Sequence, residues 1–285
     1  MQGYLIGEVD IMIGTSVFVY LGIMIAFGII VPVAVAIWWV KTRKEKFSTV
    51  LIGALTWFVF AVILEAIPKA FLFNPGTSLG QTVMGNAVLF TLCGCLLAGV
   101  FEEVGRYVAF KTVLKKRTNR ETGISHGIGH GGFEAAFLLC SMGIQYISYA
   151  SMINAGTFDA LISQVQATGV DASSLTAIPE QLAAMTFVGI LFTMFERVYA
   201  MILHVGLSIL VFNSVKRSKI GLLFLSILLH AIFDAPAALY QFGILNLYVT
   251  EAIGAAFVIV FFVVVLGSEK VGEDQIKQES HTPTI

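Results

Sequence analysis

Charge is what this sequence has least of. Aspartate, glutamate, lysine and arginine make up 12% of the 285 residues, half the share of roughly 25% found in soluble globular domains. Hydrophobic residues make up 57% and the mean hydropathy is +0.88, which excludes an ordinary water-soluble fold. With a net charge of -1 there is no basic excess, so nothing points to a nucleic-acid partner. Cysteine is scarce too. Cys93, Cys95 and Cys140 all fall in apolar runs, where a thiol reads as a small buried hydrophobe rather than half of a disulfide or a redox pair. The first ten residues, MQGYLIGEVD, lack a basic n-region. The apolar run after them is too long for a signal-peptide core, so it is expected to be a retained first span.

What is present is a series of apolar runs longer than the roughly 18 residues that mark a membrane-crossing helix. The expected fold is all-α, a polytopic bundle of seven spans at about 11–40, 49–73, 85–112, 125–153, 181–214, 218–240 and 244–266. Lys41, Arg43, Lys44, Lys46, Lys111, Lys115, Lys116, Arg117, Arg120, Lys216, Arg217, Lys219, Lys270 and Lys277 all fall in connections on one side. The other side carries Glu8, Asp10, Asp159, Asp171 and Glu180. The positive-inside rule then places the N-terminus outside and the C-terminus in the cytoplasm. Residues 1–266 read as one transmembrane domain, with a core at 85–240, and 267–285 as a disordered tail. In the external 155–180 loop, Phe158, Leu161, Ile162 and Val165 have the spacing of a short surface helix. Pro179 is expected to open the fifth span.

Several ionisable residues remain inside the spans: Glu65, Lys69, Glu102, Glu103, Arg106, His130, Glu134, Glu196, Arg197, His204, His230, Asp234 and Glu251. Each charge at mid-bilayer costs about 2.5–3.5 kcal/mol even on a lenient insertion scale, so such residues must face one another or enclosed water. Arg106 lies four residues from Glu102 and three from Glu103, His130 four from Glu134, and His230 four from Asp234. Each pair therefore shares a helix face. Arg197 and His204, seven apart, do the same. At 1.5 Å per residue, Glu103, His130, Glu134, His204 and His230 lie roughly 8–18 Å from the cytoplasmic end of their spans. Four helices thus present acid or imidazole at similar depth, which points to one shared pocket.

Other members of the set have plainer readings. Glu65 and Lys69, four apart, are expected as a structural ion pair. Glu251 reads as interfacial, Glu196 equally as a structural pair with Arg197 or as a member of the site, and His126 as solvated near the surface. GIGHGG, residues 127–132, lacks the preceding strand of a phosphate-binding loop, so its glycines are read as allowing close helix packing beside His130.

EEVGR in the third span, HGGFE in the fourth, ER followed by His204 in the fifth, and HAIFD in the sixth together resemble the YhfC family of bacterial intramembrane metalloproteases. That family belongs to the wider group of CAAX-prenyl-protease-like and bacteriocin-processing enzymes, the PrsW proteases and the gamma-secretase scaffold subunit. The resemblance covers roughly 85–240. It implies an intramembrane endopeptidase of the bacterial cytoplasmic membrane, with a membrane-protein or peptide substrate. By the same likeness, Glu102 and Glu103 match the paired glutamates, one of which activates water. Arg106 matches the basic residue after them, His230 and Asp234 the final His-x-x-x-Asp element, and His204 the other pocket histidine. Two residues separate the glutamate pair from Arg106, as in PrsW, rather than the three of the CAAX type. The Phe-x-x-x-His element is also absent, which argues against a CAAX substrate.

Candidate catalytic residues are therefore Glu102, Glu103, Arg106, Glu134 and Asp234, with His130, His204 and His230 as candidate Zn²⁺ ligands. The histidines either bind zinc or donate hydrogen bonds to an oxyanion, and no spacing decides between zinc-dependent and metal-free glutamate catalysis. Two other readings use the same residues. Buried acids and imidazoles also build proton relays in ion-coupled transporters, and the gamma-secretase relative suggests a non-catalytic scaffold.

Overall fold

Long apolar runs broken by short polar connections leave the backbone one economical solution, because a helix satisfies its own hydrogen bonds wherever water is absent. The computed structural model describes residues 11–168 and 172–280, with side chains described as far as residue 264. Its helices are α1 (Thr15–Arg43), α2 (Phe47–Trp57), α3 (Ala66–Leu72), α4 (Ser78–Met84), α5 (Ala87–Lys111) and α6 (Arg120–Asn154). They continue with α7 (Phe158–Ala167), α8 (Ser173–Thr176), α9 (Ile178–Ala183), α10 (Phe187–Lys216), α11 (Gly221–Gln241) and α12 (Leu247–Ser280). Seven helices among the described residues are long and apolar enough to cross a membrane, in register with the seven expected spans. Ile37, Trp38, Val59, Ile63, Val260 and Val263 are exposed, as a lipid-facing surface requires. The three cysteines are free.

Three local features differ from the sequence expectation. The second span is interrupted: a π-helical turn, Phe58–Leu64, separates α2 from α3, and Glu65 N donates to Phe60 O five residues back. Pro68 then falls in the first turn of α3, where a missing N–H costs nothing. Pro179 opens the separate short helix α9 rather than a span. The fifth span begins only at Phe187, where Thr186 Oγ1 accepts from Gly189 N at 3.1 Å and supplies the cap. Helical backbone also continues through Ser280, into the stretch expected to be a disordered tail. Lysine, glutamate and glutamine there are all good helix formers. Glu8, Asp10 and Asp171 lie outside the described residues. The expected surface helix is α7.

Two compact units divide the chain, Met1–Ile30 with Ala136–Met194, and Val31–Ala135 with Phe195–Ile285. The first is built on Leu21, Met24, Leu139, Ala150 and Leu182, all essentially inaccessible. The second holds several apolar clusters, one of which joins Tyr199, Leu203 and Leu207 to Val258 and Phe261. Within this unit α11 lies along α5.

Glycine sets the closest approach in the second unit. A Cβ at Gly53 would strike the carbonyl oxygen of His126, and one at Gly129 would strike that of Val50. The two helices therefore meet backbone to backbone, the small-residue contact expected of GIGHGG. Gly129→Ala should cost about 1–3 kcal/mol through overpacking, read as a lower unfolding midpoint in detergent. An unchanged midpoint would show that α2 and α6 can separate freely.

Candidate functional site

Neighbouring helix positions point about 100° apart, so the adjacent glutamates of α5 meet different partners. Glu103 turns to α11. Ser226 Oγ donates to its Oε2 at 2.5 Å, and His230 Nδ1 donates to its Oε1 at 2.8 Å. Glu102 turns to α6, where His130 Nε2 donates to its Oε2 at 2.8 Å. Arg106, one turn along and fully buried, braces both: Nη2 is 3.5 Å from Glu102 Oε2 and Nε is 3.5 Å from Glu103 Oε1. The same guanidinium ties α5 to α10, with Nη2 donating to His204 Nδ1 at 2.6 Å and Nη1 to His204 O at 3.0 Å.

On α10, Arg197 and His204 lie two turns apart on one face, and both reach Glu134 of α6. His204 Nε2 is 2.5 Å from Glu134 Oε2, and Arg197 Nη1 donates to Glu134 Oε1 at 3.1 Å. Arg197 is paired with Glu196 as well. His230 Nε2 faces Asp234 Oδ2 at 3.5 Å and Glu102 Oε2 at 3.9 Å. Asp234 is the most accessible of these carboxylates. Four helices thus converge on one cluster, as the depth argument required. Close packing makes this possible: a Cβ at Gly131 would lie 2.8 Å from His204 Cβ, and one at Gly99 would lie 2.8 Å from Ile227 O.

The remaining candidates fall elsewhere or change character. Glu65 and Lys69 pair with each other at 2.7 Å. His126, expected to be solvated, is fully buried, with Nδ1 3.3 Å from Ser208 Oγ and Nε2 3.4 Å from Thr56 Oγ1. Its position one turn from His130 puts it on the packed face of α6, under Phe110, whose ring centroid is 4.6 Å away. Glu251, expected at the interface, is buried as well and accepts from Tyr199 OH at 2.9 Å. Ser208 and Ser226 were not singled out by sequence reasoning. Each lies four residues from a site histidine, so the one-turn rule that paired His230 with Asp234 would have found them.

Glu102, His130, Glu134 and His204 each offer one donor atom, and these atoms all lie within 4.8 Å of one another. Two imidazoles and two carboxylates suit a borderline divalent ion such as Zn²⁺. Three of the four are fully or nearly fully buried. The contacts that now join His130 to Glu102 and His204 to Glu134 are the ones an ion would replace. Charge points the same way: Glu102, Glu103, Glu134, Glu196 and Asp234 outnumber Arg106 and Arg197, and a cation offsets the excess. By donor chemistry and spacing, the residues fit a metal. His230 stands outside this group, committed through Nδ1 to Glu103.

Seven apolar helices with a buried cluster of carboxylates and imidazoles among them define a multi-pass membrane protein. The chain belongs to the YhfC family: residues 27–254 match the family described as YhfC intramembrane metalloprotease. It is similar to the uncharacterized membrane protein YhfC of Bacillus subtilis (strain 168), at 34% identity over 235 residues, which is 82% of this chain and 89% of that one. No solved structure matches the chain.

Proposed function

We propose that the protein is an intramembrane endopeptidase that hydrolyses a peptide bond of a membrane-associated substrate with glutamate-activated water. The observation that carries this reading is the convergence of Glu102, His130, Glu134 and His204 within one buried cluster. Hydrolysis requires that water lose a proton, that the carbonyl be polarised, and that the leaving amine gain a proton. Every contact described for Glu102 runs through Oε2, which leaves Oε1 for water. Glu102 is the general base in this reading, and the proton it takes passes to the departing nitrogen. Glu103, committed to Ser226, His230 and Arg106, holds its neighbours in place. His230, held between Glu103 and Asp234, is close enough to Glu102 to hydrogen-bond the developing oxyanion.

His130, Glu134 and His204 would hold a divalent ion as a His₂Glu set. Such an ion supplies Lewis-acid polarisation of the scissile carbonyl. The basic connections are taken to face the cytoplasm, with the protein in the cell membrane and its N-terminus outside.

The test is a comparison of membrane-derived peptides in cells carrying the wild-type chain or Glu102→Gln/Glu103→Gln. Peptides present only with the wild type are expected; identical peptide sets under several growth conditions would remove the protease reading. For the metal, purified protein should carry about one divalent ion per chain, and His130→Ala/His204→Ala should lose it. Full cleavage by a metal-stripped preparation would leave the metal-free glutamate route instead.

A further inference from the structure

A second set of cations gathers away from the buried centre, where α5 leads into α6 beside the end of α10. Lys111, Lys115, Arg117 and Lys216 line a cavity of about 230 Å³, and no aspartate or glutamate is among its lining residues. Among the described residues, the hydrogen-bond partners of Lys111, Arg117 and Lys216 are uncharged. Lys111 Nζ donates to Tyr107 OH at 3.3 Å, Lys216 Nζ to Thr118 O at 2.8 Å, and Arg117 to Ser48 Oγ at 2.9 Å and to the Thr49 hydroxyl. Four like charges around one small opening repel one another unless an anion sits among them. The neutral partners orient the cations without cancelling their charge.

The cavity also has an apolar wall. Phe110 and Phe212 both line it, their rings 5.4 Å apart edge to face. A cationic rim beside aromatic carbon, at the ends of membrane-crossing helices, is the setting in which lipid headgroups are held. A small hydrophilic anion would use only the rim, whereas an anionic amphiphile uses both surfaces.

The geometry points to a binding site for the phosphate of an anionic phospholipid, with the headgroup among Lys111, Lys115, Arg117 and Lys216 and an acyl chain beginning against Phe110 and Phe212. Free inorganic phosphate shares the headgroup chemistry but lacks the chain. The site is separate from the proposed proteolytic residues and stands whether or not the protein cleaves peptides. A chain of contacts joins it to them: Phe110 also packs on His126, which contacts Ser208, and Ser208 accepts from Arg106 Nη1 at 3.4 Å.

The experiment uses the full chain, delipidated in detergent and titrated with phosphatidylglycerol or phosphatidylcholine, with bound lipid counted by native mass spectrometry. Phosphatidylglycerol should be retained roughly tenfold better, and Lys115→Glu/Lys216→Glu should lose most of that preference. Lys270→Glu/Lys277→Glu changes the net charge equally, after the seventh span, and should keep the preference. Lys115→Gln/Lys216→Gln gives an intermediate loss and guards against misfolding of the reversed-charge variant, with elution on size exclusion as the check. Equal retention of the two lipids overturns the proposal, as does equal loss in the Lys270/Lys277 control. Displacement of the lipid by millimolar inorganic phosphate overturns the lipid assignment in favour of the free anion.

Discussion

Glu102→Gln is expected to slow peptide-bond cleavage by roughly two to four orders of magnitude, the usual contribution of a positioned general base. The chain should remain folded. Glutamine keeps a carbonyl oxygen that can accept from His130 Nε2, which now donates to Glu102 Oε2 at 2.8 Å, but it cannot take a proton from water. The readout is turnover of a membrane-reconstituted peptide substrate, with the unfolding midpoint measured alongside. Glu103→Gln should behave differently. Its carboxylate is fully buried and bonded to Ser226, His230 and Arg106, so the variant should lose stability as well as activity. A Glu102→Gln enzyme that keeps more than about a tenth of wild-type turnover would transfer the base role to another carboxylate, since general-base losses are far larger.

Arg106→Ala should be the most destabilising single change in the centre. The guanidinium is inaccessible and joins Glu102, Glu103, the His204 ring and backbone, and Ser208. Removing one partner of a buried ion pair typically costs about 3–5 kcal/mol, because the carboxylates left behind are buried without compensation. Arg106→Lys should recover little, since one ammonium cannot reproduce donors that point to two helices at once. Combining Arg106→Ala with Glu102→Gln/Glu103→Gln should cost less than the separate effects summed, because the uncompensated charges go too. Thermal unfolding in detergent reads all three. A midpoint for Arg106→Ala equal to wild type would mean that the arginine is a bystander.

Helix number and register follow from hydropathy alone, and the seven spans lie where their apolar runs place them. Pairings within one helix were equally legible. His230 with Asp234, Glu65 with Lys69 and Arg106 with its two glutamates follow from 3.6 residues per turn. Contacts between helices were not. Whether His126 faces solvent or Phe110 depends on how α6 is rotated against α5 and α10, and that rotation is set by many side chains at once. The burial of Glu251 against Tyr199 has the same origin. The π turn at Phe58–Leu64 was also hidden, because it reflects a local choice among near-equal hydrogen-bond patterns in a uniformly apolar stretch. Ser208 and Ser226 escaped notice for a simpler reason: a hydroxyl in an apolar run carries no charge cost that would draw attention to it.

The Arg197 contact to Glu134 bears on which ions the proposed metal site would favour. Arg197 Nη1 donates to Glu134 Oε1 at 3.1 Å, so an ion gripping Glu134 through both oxygens would compete with the guanidinium for that one. A calcium ion prefers about six to eight oxygens, often with a carboxylate gripping through both atoms, and here that grip would meet the competition of the guanidinium. Small ions satisfied by imidazole nitrogen and a single carboxylate oxygen lose nothing by the restriction. One arginine would thus disfavour larger, harder ions without touching the ion itself.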